Sequence, residues 1–211
     1  MPDASPYVLT DRLRRRIAGN LAAFERRTAL PDGLKPAAVA ITVVAGEGGE
    51  AAFVLTRRAA RLSSHAGQLA LPGGRLDDGE TAVQAALREL QEEVGLVRTG
   101  EAVLGLLDDY VTRSGYVITP VVVWGGPQAR LAANPQEVAQ IYRIGFTELN
   151  RSDSPEFVRI PESTRPVIRL LFGDDALHAP SAALVYQFRE VGLHGRPVRV
   201  GSLEQPVWAW R

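Results

Sequence analysis

Cysteine is absent from all 211 residues, which excludes disulfides, thiolate metal sites and a cysteine nucleophile together. Net charge is absent as well. Twenty-four Lys and Arg balance 24 Asp and Glu, and the sequence pI is about 6.9, so no global field steers the chain along nucleic acid or onto an anionic membrane. An anionic ligand would have to be gripped by local arginines. No apolar run is long enough to span a bilayer, and the first residues, MPDASPYVL, lack the charged segment and apolar core of a secretory leader. The expectation is a cytoplasmic protein with no membrane or nucleic-acid partner. Internal repeats and low-complexity tracts are also missing. What remains is a chain with 45% apolar content, enough for one well-filled domain with extensions.

The informative stretch is Gly74 to Leu96, GRLDDGETAVQAALRELQEEVGL. Thr81-Ala82-Val83-Gln84 has the form of a capping box, so a helix is expected to start near Ala82. Gly95 can take the left-handed conformation that ends it, and no proline interrupts the run. At about 100° per residue, Val83, Leu87, Leu90 and Val94 form a narrow stripe. Glu89, Glu92 and Glu93 fall nearly opposite, with Ala82, Ala85 and Ala86 on or near that acidic face. Three like charges at such offsets repel by a few tenths of a kcal/mol per pair, so about 0.2–0.5 kcal/mol each. Either water and Arg88 offset the repulsion on a solvated face, or a hard divalent cation does, since Mg²⁺ takes carboxylate oxygens and completes its shell with waters and phosphates.

Gly74, Glu80, Arg88, Glu89, Leu90, Glu92, Glu93, Gly95 and Leu96 fill every defined position of the Nudix box, G-x5-E-x7-R-E-U-x-E-E-x-G-U with U aliphatic. The sequence therefore resembles the Nudix hydrolases. The resemblance implies an α/β/α sandwich with a mixed β-sheet and a Mg²⁺- or Mn²⁺-dependent pyrophosphohydrolase. By position it implies Glu89, Glu92 and Glu93 as metal ligands, with the Gly74 carbonyl as a further one. Arg88 would orient Glu89, and Glu80 would pair with Arg88 and brace the loop before the helix. A loop acid after the box serves many Nudix enzymes as an additional ligand or as the base, and Glu137 is the candidate here. The proton acceptor is open among Glu93, Glu89 and Glu137.

The segment before the box resembles the motif of the Nudix subfamily that hydrolyses coenzyme A, L-L-T-x-R-[SA]-x3-R-x3-G-x3-F-P-G-G, through Val54, Leu55, Thr56, Arg58, Ala59, Gly67, Pro72, Gly73 and Gly74. Ser63 stands where that motif has its second arginine, and Leu71 where it has phenylalanine. Serine cannot replace a bidentate guanidinium, and Arg61, two residues earlier, is the available substitute. Arg58, Arg61, His65, Gly67 and Gly73 are the substrate-binding candidates. Thr112 to Tyr116 followed by Thr119-Pro120-Val121-Val122 resembles the same subfamily, whereas Ala179-Pro180-Ser181-Ala182 replaces its W-G-x-T-A stretch. The substrate implied is coenzyme A or an acyl or oxidised derivative, giving adenosine 3′,5′-bisphosphate and a 4′-phosphopantetheine. The alternatives are another dinucleotide, ADP-ribose or NADH, and a nucleotide-binding module that no longer hydrolyses.

The remainder supplies the frame. Thr10 to about Arg27 reads as an amphipathic helix, with Leu13, Ile17, Leu21 and Phe24 on one stripe and arginines on the other. Residues 38–44 and 52–56 read as strands joined by a Gly-rich turn, residues 101–110 and 116–124 as two more, and 139–144 as a short one. Residues 146–150 suit a helical turn, 153–169 a hairpin or loop broken by prolines, and Ser181 to Val191 a last helix capped by Ser181. The expected division is residues 1–36 as a helical extension, 37–195 as the Nudix domain and 196–211 as a tail. The tail's Trp208 and Trp210 need cover, from the N-terminal helix or a homodimer interface, with stacking on a nucleotide as the less favoured role.

Overall fold

The structure is a computed structural model that describes residues 7–29, 33–60, 67–173 and 175–210. Helix α1 (Asp11–Ala23) precedes β1 (Lys35–Ala45), β2 (Ala51–Arg58), β3 (Leu69–Ala70) and β4 (Gly73–Arg75). Then follow α2 (Ala82–Val94), β5 (Val103–Leu106), β6 (Tyr110–Val111), β7 (Tyr116–Gly126), β8 (Val138–Gly145) and α3 (Phe146–Leu149). The chain ends with β9 (Glu156–Ile160), β10 (Ser163–Phe172), β11 (Asp175–His178) and α4 (Ser181–Gln187). The main sheet is mixed. β1 runs parallel to β7, and every other pairing in it is antiparallel, with β4 on β1 and β8 on β2. β9, β10 and β11 make a second, antiparallel sheet.

Alternation along the central strands assigns their side chains to two cores. Ala38, Ala40, Ala52, Val54, Val121 and Val123 face α2, whereas Ile41, Val43, Phe53, Leu55, Val122 and Trp124 face α1, α4 and the second sheet. The strands lie between helices, which makes the sandwich expected from the sequence. The small side is the α2 side. Its strand alanines meet Ala85 and Ala86 of the helix, both fully buried, and two layers of methyl groups let the helix backbone lie close to the sheet.

That contact corrects the expected orientation of α2. Leu90 and Val94 are buried as the aliphatic stripe requires, but Val83 and Leu87 are only partly covered. The packing face is turned toward Ala85, Ala86 and Glu93, because small residues permit the closest approach and the helix rotates to use them. The alanines are therefore packing residues, not a clear path for a ligand. Both ends of the helix match the sequence. Gln84 N–H donates to Thr81 Oγ1 (3.3 Å) and Thr81 N–H to Gln84 Oε1 (2.9 Å), and Gly95 is left-handed at φ 68°.

Helix α1 stops at Ala23 rather than running to Arg27. Past it, Arg27 N–H donates to Asp108 Oδ1 (2.7 Å), Ala29 N–H to Asp109 Oδ2 (3.0 Å) and Arg26 Nε–H to the Leu107 carbonyl (2.9 Å). These acceptors draw the backbone out of helical geometry. The same aspartates break residues 101–110 into β5 and β6, since Asp108 also accepts from Gln187 Nε2 (2.9 Å) and Arg199 Nη1 (2.7 Å). Asp108 is thus buried at a junction of the N-terminal, central and C-terminal segments. Asp108→Ala would leave several buried donors unmatched, and a loss on the order of 3–5 kcal/mol in denaturant unfolding is expected.

At the C-terminal end, Pro180 occupies the cap position, where its ring offers no acceptor to the helix N–H groups, so Ser181 is the first residue of α4 and not its cap. The helix continues through Phe188–Leu193 in a wider turn, with Leu184, Phe188 and Val191 buried as expected. β11 has no counterpart in the sequence reading. Among the described residues no helix is long and apolar enough to cross a membrane.

Candidate active site

Three segments of unrelated sequence position converge at one end of α2. β4 pairs with the start of β1, setting Gly73 against Val39 and Gly74 against Ala38. A Cβ on Gly73 would come within 2.7 Å of Val39 Cα, so only glycine allows this approach. The loop after β7 is tied to the last turn of α2, with Ala132 N–H on the Val94 carbonyl and Asn134 N–H on the Glu93 carbonyl, both 2.9 Å. Ala59 N–H donates to the Glu137 carbonyl (2.8 Å), joining that loop to the end of β2.

These ties bring carboxylate oxygens of Glu89, Glu93 and Glu137 within 4.8 Å of one another, Glu137 being the least buried. The side chains of Glu89 and Glu93 are only 12% and 4% exposed. Burial, then the Glu89 charge, pushes the Glu93 carboxyl up to about 8 against the pull of Arg58; the Gly73 N–H also favours the ionised form. Burial likewise raises Glu89, against its bond to Arg88. Such a cluster repels itself, and the protein supplies too little positive charge to relieve it.

A divalent cation fits what is present. Glu93 Oε2 is buried with no hydrogen-bond partner among the described residues, and a side chain on Gly74 would overlap Glu89 Oε1, so the glycine leaves room where ligand oxygens meet. The donors are all hard oxygens, which suits Mg²⁺ or Mn²⁺ and not a soft metal.

Glu92 stands apart from this trio. Its side chain is 51% exposed and it accepts from Arg88 Nη1 at 3.0 Å. Arg88 also donates to Glu89 Oε1 (2.8 Å), to both oxygens of Glu80 (3.0 and 3.1 Å) and to the Arg75 carbonyl (2.9 Å). One guanidinium therefore fixes the direction of Glu89 and ties α2 to the loop before it. Glu80 accepts the Asp77 N–H as well (2.9 Å), and its bond to Arg88, opposed by partial burial, holds its carboxyl below the usual range.

A cavity of about 810 Å³ opens beside the cluster, and Arg58, Gly67, Gly73 and Gly74 line it. Arg58 Nη1 lies 3.9 Å from Glu93 Oε1, and its buried Nε has no partner among the described residues. A guanidinium so placed has donors left for an anionic ligand. Arg61 and His65 lie outside the described residues. The opposite wall was not foreseen: Arg57 reaches from β2 to Asp175 of β11 (2.6 Å) and donates to Tyr142 Oη (2.9 Å), and His178 and Trp208 lie beyond. Arg57 occupies an unspecified position of the upstream motif, and nothing marked Asp175 as part of a strand.

Comparison with known proteins agrees with this geometry. The NUDIX domain family matches residues 34–165. A Nudix hydrolase, NudL, of Photorhabdus laumondii, itself uncharacterized, is 39% identical over 120 residues, covering 56% of this chain and 63% of that protein. The corresponding protein of Yersinia pestis is 40% identical over 100 residues, covering 47% and 50%. The matches thus span between half and two thirds of these relatives' own length. Among solved structures, RenU, a Nudix hydrolase from M. smegmatis, superposes with a TM-score of 0.50 at 26% identity, covering 75% of this chain and 86% of that one. The family match extends over more than half of the chain and includes the glutamate helix, and the chain belongs to the Nudix family.

Proposed function

We propose that the protein hydrolyses the diphosphate linkage of a nucleoside diphosphate derivative. The observation that carries this reading is the trio of carboxylates, Glu89, Glu93 and Glu137, gathered within 4.8 Å beside a cavity lined by Arg58, whose buried Nε has no hydrogen-bond partner among the described residues. Glu89, Glu93 and Glu137 would hold divalent cations, Mg²⁺ or Mn²⁺, with Glu92 and the Gly74 carbonyl as further ligands. Bound there, the cations would neutralise phosphate oxygens and acidify the attacking water.

The chain's own residues do the rest. Arg58 grips a non-bridging phosphate oxygen. Gly73 and Gly74 let the diphosphate approach the backbone, and Arg88 keeps Glu89 aimed at the site while Glu80 keeps Arg88 in place. Water attacks one phosphorus, the anhydride bond to the bridging oxygen breaks, and a carboxylate of the trio takes the proton. Two phosphomonoesters leave, with no covalent enzyme intermediate. Catalysis comes from position and charge.

Coenzyme A or an acyl or oxidised derivative is the favoured substrate, on the strength of the upstream motif and a cavity large enough for part of such a molecule. Ser63 in place of the motif's second arginine argues for testing ADP-ribose and NADH beside it. With Mg²⁺ or Mn²⁺ and each compound in turn, products separated by mass are expected to show adenosine 3′,5′-bisphosphate and a 4′-phosphopantetheine from coenzyme A. Cleavage of ADP-ribose or NADH alone would reject coenzyme A and keep the reaction. Cleavage of no nucleotide would reject the reaction in favour of a binding module.

A further inference from the structure

The cavity runs from Arg58, Gly73 and Gly74, the neighbours of the carboxylates, to a far wall built by the C-terminal tail, through Gln205, Trp208 and Ala209, together with His178 at the end of β11. The tail is not loosely laid there. Glu204 is buried and accepts from Arg113 Nη2 (2.6 Å), Arg165 Nη2 (2.9 Å) and Ser163 Oγ (2.8 Å). Its backbone bridges to Val167 of β10, and Tyr110 Oη donates to the adjacent Leu203 carbonyl (3.0 Å). Burial alone would raise the Glu204 carboxyl, yet these bonds together hold it at about 2. The anchor therefore stays charged and paired throughout the neutral range.

Four residues beyond that anchor Trp208 keeps 48% of its surface exposed. It meets His178 edge to face, with centroids 5.3 Å apart and planes at 88°, an arrangement that leaves ring face uncovered where a parallel stack would not. Trp210 is different, for its ring lies under the Arg113 guanidinium (5.3 Å) and its Nε1 donates to the Gln205 carbonyl (3.4 Å). An indole that lines a cavity with about half of its surface exposed costs hydrophobic free energy until something planar covers it. Burial, then the Arg169 charge, lowers the His178 imidazole below its usual value.

We infer that the far wall of the cavity is a nucleobase subsite, in which Trp208, positioned by the Glu204 anchor, stacks on the base of the substrate's nucleoside half. The subsite deepens the nucleotide reading given above and rests on it. Any base presents a π-face, so Trp208 supplies affinity for nucleotides over base-free phosphosugars, and base-to-base selectivity would have to come from edge contacts.

The test is the affinity of the metal-free protein for AMP and for ribose 5-phosphate, measured by titration calorimetry on the wild type, Trp208→Ala and Trp208→Phe. The wild type is expected to bind AMP on the order of ten-fold more tightly than ribose 5-phosphate, Trp208→Ala to lose that ratio, and Trp208→Phe to retain most of it. Equal affinities in the wild type, or a ratio unchanged by Trp208→Ala, overturn the inference. In turnover, Trp208→Ala is expected to raise KM more than it lowers kcat. An unchanged KM would sink the subsite and leave the hydrolase standing, whereas Trp208-dependent AMP binding without hydrolysis of any nucleotide would do the reverse.

Discussion

Replacing Glu93 with glutamine is expected to lower hydrolysis by on the order of 10³-fold or more, above the loss typical of removing a single preorganised donor, while the fold is kept. The amide is nearly isosteric, and its oxygen can still accept the Gly73 N–H that now favours the ionised carboxylate. What disappears is a negative charge next to Glu89 and Glu137, and with it a ligand for the cation. The stability of the metal-free protein should move the other way. Burial and Glu89 raise the Glu93 carboxyl from 4.5 to about 8 in the folded state, so between those pH values the folded protein holds a proton that the unfolded chain has released.

Stability therefore falls as the pH rises through that window, by up to about 1.4 kcal/mol per pH unit from this group, and Glu89 acts in the same direction. Urea melts of the metal-free wild type and of Glu93→Gln between pH 5 and about 8.5 are expected to diverge. The variant should be the more stable at the alkaline end. Mg²⁺ should stabilise the wild type most at the alkaline end, where both carboxyls are ionised and their repulsion is relieved. Parallel curves would mean that the cluster stores no such repulsion.

The second large effect comes from two adjacent glycines with opposite outcomes. A methyl group on Gly74 would meet Glu89 Oε1 and Cδ, the flexible end of a side chain that can swing aside by giving up its Arg88 bond. Gly74→Ala should leave the thermal midpoint within a few degrees of the wild type. Activity should fall on the order of 10²-fold or more, because a displacement of about 1 Å in a catalytic constellation already costs that much. A methyl group on Gly73 would meet the Ala38 carbonyl oxygen and Val39 Cα, which cannot move without breaking the pairing of β4 with β1. Gly73→Ala should therefore destabilise the protein by about 1–3 kcal/mol or more, as overpacking does, and lose activity through misfolding. Thermal melts and initial rates on the two variants separate these cases. A stable, fully active Gly74→Ala would show that the Glu89 position is not critical.

The sequence made the helix legible because its signals are local. Thr81, Gln84 and Gly95 mark the ends of α2 without help from the rest of the fold, and the structure places both ends there. Which way the helix faces was not local. Hydrophobicity favoured Val83 and Leu87, but the sheet opposite presents Ala38, Ala40 and Ala52, and a helix of small residues approaches such a surface most closely through Ala85 and Ala86. Periodicity weighs how apolar a side chain is and cannot know the size of its partners across the interface.

The site divides in the same manner. Glu89, Glu93 and Arg88 are set by spacing within one helix, so their neighbourhood could be written down from the sequence. Glu137 joins them only because the Glu93 and Val94 carbonyls hold the loop carrying Asn134 and Ala132, and its choice rested on family resemblance. Of the far wall of the cavity the sequence offered only Trp208, with nucleotide stacking as its less favoured role. Asp175, His178 and Trp208 belong to a second sheet and a tail whose placement depends on Glu204 meeting Arg113 and Arg165, pairs separated by tens of residues and invisible to any periodic pattern.

The central claim is that Glu89, Glu93 and Glu137 jointly hold a divalent cation against a diphosphate. Anomalous diffraction from crystals soaked with Mn²⁺ tests it most directly. A peak within about 2.5 Å of oxygens from all three residues, lost in Glu93→Gln crystals, is the predicted result. A map with no peak beside these carboxylates, from protein that hydrolyses its substrate without added divalent cation, would contradict it.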